Sequence, residues 1–340
     1  MRRFFSDESF WNRPIGLHPA IDPESERLLD FMTSRESRGF WLNLARYTIP
    51  IYEVDGNTSG RKVHRRLLGD CKDWPWINGP NPPRTGPGDP LGHERKFAED
   101  AAAGRVPIPD YAVPDKESDA HLSLVDWGAG WMWDMWYCRR RADGDWETLS
   151  GIKYRVDGSG VFDRKDLPAR NGDSIHQYGP CRAAGVPAVA GMIMHQEVLE
   201  GRIEHRLSFC THLAALQRFV HPPACWTDGG WKQGLPEGAV LQLDPELDLV
   251  RLGLSPGAMV VARALQEYGA VCVDVGQGYV IYAEGLYADP RKRSWDGLLK
   301  ETDLSVLKLK PHFRVLKMEG VVAEGMAPRK PDGGIYAGES

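Results

Sequence analysis

The sequence predicts a mainly β protein with a few short helices, whose body is an antiparallel β sandwich or a jelly-roll-like or barrel variant of one. Three observations favour this fold class. Residues 121–156 alternate apolar and polar side chains between turn signals. The chain contains twelve tryptophans, a residue type common in strands. Finally, helical periodicity is confined to short stretches.

The clearest elements lie in the centre of the chain. Strands over 121–126, 131–138 and 146–156 are predicted to form a consecutive antiparallel meander, because Gly-containing turns separate them. Alternation places Trp131 and Trp133 on one face of this sheet and Trp136 on the other. Either a second layer of structure covers both faces, or an indole remains at the surface, where it can stack on a sugar or a cation.

The flanking segments give weaker signals of the same kind. A helix is expected after Asp22 and another after Ser255, each with a capping side chain and a proline at its start. A shorter helix is expected over 195–200. We expect strands over 40–54, 62–67, 203–210 and 239–243, a hairpin made of 270–275 and 279–283, and irregular excursions over 69–114 and 157–191.

We interpret the chain as one large β-rich domain. Residues 1–115 carry the first helix, strands and a Pro/Gly-rich excursion, residues 116–320 form the main β body, and residues 321–340 are a polar tail. The tail is expected to lie stably against the body or to contact another chain. The six cysteines form no C-x-x-C pair, which favours free, partly buried thiols over a zinc ribbon.

Charge and hydropathy exclude some partners. The net charge of -5 provides no overall positive field for a phosphate backbone, so nucleic acid is not expected as a partner. No window approaches the ~18 apolar residues of a membrane-spanning helix. The short aromatic start before Ser6 lacks the apolar stretch of a signal peptide.

Two segments carry candidate catalytic residues. Asp119 and His121 enter the first meander strand, where alternation puts them on one face, so the carboxylate could orient the imidazole as a general base or share a metal with it. The alternative is an exposed pair at a strand end. His205 points with the apolar residues of its predicted strand, so it is either a satisfied core histidine or a group that lines a cleft.

The remaining candidates come from an irregular segment and from the aromatic strand. His176 and Tyr178 lie in a predicted loop, where binding groups are over-represented. We predict that Asp119, His121, His176 and His205 are catalytic and converge in one concave site, and that Trp133, Asp134 and Tyr178 bind substrate. Metal-ligand spacings are unspecific and H-E-x-x-H is absent, so neither a metal nor another cofactor is predicted.

Several stretches together resemble an uncharacterised family of bacterial, often secreted proteins. These stretches are Phe10-Trp11-Asn12-Arg13-Pro14-Ile15, Asp119-Ala120-His121, Ala184-Gly185-Val186-Pro187 through Ile193, Gly201 to His205, and Leu254-Ser255-Pro256 through Gly269 to Asp274. The resemblance covers most of the chain. It implies an extracellular, glycan-related setting and assigns no catalytic residue.

The resulting functional hypothesis is a glycan-engaging envelope protein, a polysaccharide lyase or glycoside hydrolase that acts on a bacterial polysaccharide through a histidine and carboxylate site. The alternative is a non-catalytic phage minor tail or receptor-binding protein that contacts the cell wall and other virion tail proteins. A third hypothesis, a metal-dependent hydrolase, depends only on the number of histidines and acids. Without a signal peptide, we expect a phage-encoded chain to reach the exterior in the virion and any other to be cytoplasmic.

Overall fold

The fold is built around two principal β-sheets. The computed structural model describes residues 2–65, 92–163 and 181–323. The larger sheet has six strands, in the spatial order β1 (Trp41–Asn43), β16 (Tyr279–Tyr282), β11 (Leu207–Thr211), β15 (Ala270–Asp274), β14 (Val240–Leu243) and β17 (Phe313–Val315).

The second principal sheet contains the predicted meander. Its spatial order is β10 (Ser150–Arg155), β7 (Trp131–Trp136), β6 (Leu122–Asp126) and β2 (Ile51–Glu53). The pairs β6–β7 and β7–β10 are antiparallel, which confirms the meander. The third predicted strand is divided, because Trp146–Thr148 pairs outside this sheet.

Three small sheets, five α-helices and a 3₁₀-helix (Leu249–Leu252) also belong to the described structure. One small sheet contains β13 (Leu235–Glu237), β12 (Ala214–Val220) and β18 (Val321–Val322). The second pairs β3 (Gly60–Arg61) with β5 (Val106–Pro107). The third contains β4 (Val63–Arg65), β9 (Trp146–Thr148) and β8 (Arg139–Arg140). The helices are α1 (Ser25–Arg35), α2 (Gly92–Ala102), α3 (His195–Glu200), α4 (Pro256–Glu267) and α5 (Leu309–His312).

The two principal sheets pack as a sandwich with helices outside them. On β15, Ala270 and Cys272 face a core shared with α1 and α4, while Val271 and Val273 face a second core that also contains Val125 of β6. This second core lies between the sheets. The mainly β sandwich is therefore confirmed, but the sheets are mixed, since β1–β16, β11–β15 and β2–β6 are parallel pairs.

Helix α2 lies in the segment that the sequence predicts to be irregular. Its Phe97 is fully buried against β10, in a third core shared with Trp133. A Cβ added at Gly151 would lie 2.3 Å from the Phe97 ring, so the glycine makes room for the helix. This packing stabilises α2, and sequence periodicity alone does not capture it.

Two predictions about the strands of the larger sheet are wrong. Strands β15 and β16 do not form a hairpin, because β11 lies between them and pairs with both. The strand predicted over 203–210 begins only at Leu207, so His205 precedes it. Both differences arise from long-range pairing, which local patterns do not encode.

The N-terminal region is part of the body. The Trp11 side chain is 1% exposed and its indole Nε1 donates to the Gly160 carbonyl at 2.7 Å. Strands β1 and β2 belong to the two principal sheets. At the other end, Val321–Val322 pairs with β12, while the remainder of the predicted tail, 324–340, lies outside the described residues.

Two further properties bear on the sequence predictions. The five cysteines in the described ranges are buried and form no disulfide with one another, and Cys71 lies outside those ranges. Among the helices of those ranges, none is long and apolar enough to cross a bilayer.

Candidate functional site

A buried arginine marks a polar region between the two principal sheets. The Arg182 side chain is 1% exposed, and its Nε and Nη2 atoms donate to the Ala188 carbonyl at 3.1 and 2.8 Å. Its guanidinium carbon lies 3.7 Å from the centre of the Tyr282 ring. The Nη1 atom has no hydrogen-bond partner within the described ranges. A buried cation with an unused donor indicates a functional group or a ligand position.

Asp119 approaches this arginine from the entry to β6. The Asp119 carboxylate is partly exposed and accepts a hydrogen bond from the Trp136 indole. Burial raises the pKa of Asp119 to about 6, against the opposing effects of that hydrogen bond and of the Arg182 charge. Asp119 is therefore a carboxyl group that can carry a proton near neutral pH.

The backbone around Asp119 is unusual. Ala120 and Tyr137 have φ angles of 42° and 58°, in the left-handed region that non-glycine residues seldom adopt. The two segments pair with each other, since the Tyr137 amide donates to the Asp119 carbonyl at 2.8 Å. Asp119 and His121 therefore enter the sheet through a strained turn and not through a regular strand, which begins at Leu122.

His121 lies deeper than Asp119. It is 6% exposed, and its Nδ1 atom has no hydrogen-bond partner among the residues that the structure describes. Burial and the positive charge of Arg182 lower the pKa of His121 to about 3. The imidazole is therefore neutral above pH 3 and is a much weaker base than a histidine whose pKa is near neutrality.

Asp134 and Trp133 lie on opposite faces of β7. The fully buried Asp134 carboxylate accepts hydrogen bonds from Ser123 Oγ at 2.6 Å, Tyr154 Oη at 2.8 Å and the Ala188 amide at 2.8 Å. Because Arg182 donates to the carbonyl of the same Ala188, Asp134 holds the loop that carries the arginine's partner. It is a positioning residue in this geometry.

Trp133 faces helix α2 on the outer side of the sheet. Its Nε1 atom donates to Asp100 Oδ2 at 3.1 Å, and Lys153 Nζ lies 5.0 Å from the ring centre. The Trp133 side chain is only 5% exposed, so packing accounts for its position. The predicted substrate-binding pair Trp133 and Asp134 is consequently divided between two faces.

Three acids extend the Arg182 region. Carboxylate oxygens of Asp228, Glu237 and Asp274 lie within 4.8 Å of one another. Asp274 is the last residue of β15, and its carboxylate accepts hydrogen bonds from the Val275 amide at 3.0 Å and from Tyr282 Oη at 3.5 Å. The charges of Arg182 and Asp119 also affect the pKa of Asp274. Burial and the charge of Asp228 raise the pKa values of Asp274 and Glu237 well above the usual range.

Sequence reasoning did not select these acids or Arg182. Asp228 precedes a Gly-Gly turn and Asp274 follows an apolar strand, signals that are common in structural turns. Arg182 lies in a segment without periodicity. We name the group Asp119, His121, Arg182, Asp274 and Tyr282 the Arg182 site.

His205 occupies a different place. Its Nε2 atom contacts both Glu197 carboxylate oxygens at 3.1 Å, and its Nδ1 atom lies 2.8 Å from the Arg206 carbonyl oxygen. Burial lowers the pKa of His205, but the charge and hydrogen bond of Glu197 outweigh this effect, so that the net shift is upward. His205 is thus a paired, buried histidine.

A pocket of about 330 Å³ adjoins His205, between the N-terminal segment and helix α3. Trp127, stacked on Phe4 at a ring separation of 5.2 Å, forms part of its wall. Asp119 and His121 do not line this pocket. The structure therefore brings Asp119 and His121 to Arg182 and places His205 at another pocket, while His176 and Tyr178 lie outside the described residues.

Comparisons with protein families, with curated proteins and with solved structures find no match for this chain. The function of this chain is therefore inferred from the geometry of the site.

The Arg182 site combines groups with complementary roles. Asp119 can donate a proton near neutral pH, and the Arg182 charge opposes the upward shift in the pKa of Asp274. Tyr282 contacts both Asp274 and Arg182. Two carboxyl groups whose environments shift their pKa values are candidates for the general acid and the general base of a reaction.

Proposed function

We propose that this protein hydrolyses a glycosidic bond in a bacterial cell-envelope polysaccharide, with Asp119 as the general acid. The observation that carries the proposal is that two carboxyl groups, Asp119 and Asp274, interact electrostatically with each other and with Arg182. Asp119 is partly exposed and has a pKa of about 6, and Asp274 lies close enough to sense the charges of both Asp119 and Arg182. Most glycoside hydrolases use two carboxyl groups that lie on either side of the scissile bond.

In the proposed reaction, Asp119 donates its proton to the glycosidic oxygen as the bond to the anomeric carbon breaks. A water molecule attacks that carbon, and Asp274 accepts the proton that the water releases. Burial and the charge of Asp228 raise the pKa of Asp274, whereas Arg182 and the Val275 amide oppose this shift. In the proposed mechanism Asp274 acts as the base in its ionised form, which the Arg182 charge stabilises.

Two features favour a sugar as the substrate. Trp136 is partly exposed and its indole donates a hydrogen bond to Asp119, so an aromatic ring of the kind that binds sugars lies next to the proton donor. The resemblance to often secreted bacterial proteins favours an envelope polysaccharide.

Hydrolysis is favoured over elimination at this site. A lyase neutralises the carboxylate of a uronate, but Arg182 already faces Asp119, Asp134 and Asp274. Because these acids already interact with the guanidinium, it is less available to neutralise a further carboxylate on the substrate. The weakly basic His121 also does not suit the abstraction of a carbon-bound proton.

The test is incubation of the purified protein with bacterial wall polysaccharides. We expect new reducing ends without the absorbance of an unsaturated uronate, and a rate that falls as pH rises through about 6, because Asp119 then loses its proton. Asp119→Asn should reduce the rate at least ~100-fold. The control is Asp143→Asn, which changes an exposed acid paired with Arg141 and should keep full activity.

Other results would refute the hydrolytic mechanism. Absorbance of an unsaturated product would indicate a lyase. Glycan binding without new reducing ends would favour the non-catalytic phage tail or receptor-binding protein. Full activity in Asp119→Asn would remove Asp119 from the mechanism.

A further inference from the structure

We propose that Asp228, Glu237 and Asp274 bind a divalent cation of the hard, oxygen-preferring class, with Ca²⁺ as the best fit. The three side chains come from separate elements: the loop before Gly229, the end of β13 and the end of β15. Their carboxylate oxygens nevertheless lie within 4.8 Å of one another. An all-oxygen donor set selects Ca²⁺, Mg²⁺ or Mn²⁺ over softer metals.

Glu237 provides an observation that is independent of this clustering. Its side chain is fully buried, and neither carboxylate oxygen makes a hydrogen bond of normal geometry within the described ranges. The Thr227 hydroxyl and the Asp228 amide lie near the Glu237 carboxylate, but neither makes a hydrogen bond of normal geometry with it, and the Thr227 hydroxyl also contacts the Ala215 carbonyl at 3.1 Å. A buried carboxylate with such weak hydrogen bonding is costly, and coordination to a cation would offset that cost.

The backbone holds the three acids in place. The Gly238 amide donates to the Cys272 carbonyl at 2.7 Å, which fixes the end of β13 against β15. At Gly229 an added Cβ would lie 2.3 Å from the Ala215 carbonyl oxygen, so the loop after Asp228 packs tightly on β12. The acids therefore cannot relieve their repulsion by large movements of the backbone.

Charge and size also favour a divalent ion. Three converging carboxyl groups beside one guanidinium form an acidic environment that attracts a cation. The smaller Mg²⁺ keeps several of its water ligands and is usually held by one or two carboxylates, whereas Ca²⁺ accepts more carboxylate ligands in flexible geometry. Three carboxylates whose oxygens lie within 4.8 Å of one another therefore favour Ca²⁺.

Ca²⁺ takes ~6 to 8 oxygen ligands, so three side chains leave positions for water or for sugar hydroxyl groups. The role of holding sugar hydroxyls depends on the proposed hydrolase function. The binding of the cation itself does not.

The test is titration calorimetry of the full chain after chelator treatment, with CaCl₂ and separately with MgCl₂. We expect saturable binding of one Ca²⁺ per chain and weaker binding of Mg²⁺. Glu237→Gln and Asp228→Asn should each weaken Ca²⁺ binding at least tenfold, because each removes one charged ligand. The control Glu246→Gln changes an exposed acid and should bind Ca²⁺ as the unmodified chain does.

Melting curves provide a second measurement that does not require activity. In chelator, Glu237→Gln should melt no lower than the unmodified chain, because a neutral amide of similar size costs no more to bury than the poorly hydrogen-bonded carboxyl group. With Ca²⁺, only the unmodified chain and the control should gain thermal stability. An absence of saturable Ca²⁺ binding by the unmodified chain, or equal binding by Glu237→Gln, would overturn the proposal.

The cation proposal and the hydrolase proposal fail separately. Ca²⁺ binding without any release of reducing ends would support the cation proposal and refute the hydrolase proposal. Release of reducing ends by a chain that does not bind Ca²⁺ would do the reverse.

Discussion

Replacing Asp119 by asparagine tests the electrostatics of the Arg182 site through protein stability. The pKa of Asp119 rises from 3.8 to about 6 on folding, mainly because of burial. Each pKa unit corresponds to ~1.4 kcal/mol, so the ionised carboxylate costs up to ~3 kcal/mol of folding free energy. Because Asp119 is partly exposed, solvent screening makes this an upper limit.

The sign of the effect follows from proton linkage. Between pH 4 and 6 the folded state binds more protons at Asp119 than the unfolded state, so the contribution of Asp119 to stability falls as pH rises through this window. Asn cannot ionise and avoids the penalty. The variant should equal the unmodified chain near pH 4 and exceed its stability by ~1 to 3 kcal/mol at pH 8.

Urea unfolding at pH 4 and pH 8 measures this difference directly. His121 titrates over an overlapping range, but it is present in both proteins and cancels in the comparison. The control Asp143→Asn should give no gain at pH 8, because Arg141 lowers the pKa of Asp143. An Asp119→Asn variant that is no more stable than the unmodified chain at pH 8 would refute the assignment of Asp119 as a desolvated acid.

Two further predictions concern the buried histidines. His205→Ala should cost ~3 to 5 kcal/mol, because it leaves Glu197 buried without its partner, and adding Glu197→Gln should recover part of the loss. Because the folded pKa of His205 is raised, the cost of the substitution should decrease as pH rises through that pKa. Urea unfolding at pH 6 and pH 9 measures this cost, and equal values at the two pH values would contradict the prediction. The folded pKa of His121 is lowered to about 3, so the unmodified chain should lose stability as pH falls from 6.5 towards 3. The His121→Gln variant should lose less stability over the same range. Equal loss of melting temperature in the two proteins would contradict a buried neutral imidazole.

The sequence and the structure agree best where the signals are local. The meander and the faces of its tryptophans follow from alternation, since Trp131 and Trp133 pack in the core beneath α2 and Trp136 packs on the opposite side. The Ser255 cap is equally local, because its Oγ accepts from the Ala258 amide at 3.2 Å at the start of α4.

The candidate site agrees less well, for a physical reason that particular residues illustrate. The sequence selected Asp119 and His121, and both reach the Arg182 site. It also selected Trp133, which faces α2, and His205, which pairs with Glu197. Side-chain type showed that these residues could carry chemistry, but it did not show which of them would meet.

By itself the sequence determined the class of the fold, the central meander and the caps of its clearest helix, because side-chain direction and capping depend on backbone angles over a few residues. Only the tertiary structure decided that β11 lies between β15 and β16, and that Arg182 from an aperiodic segment meets Asp119 and Asp274. Those contacts depend on strand pairing and on the burial of a cation between two sheets, and long-range packing sets both.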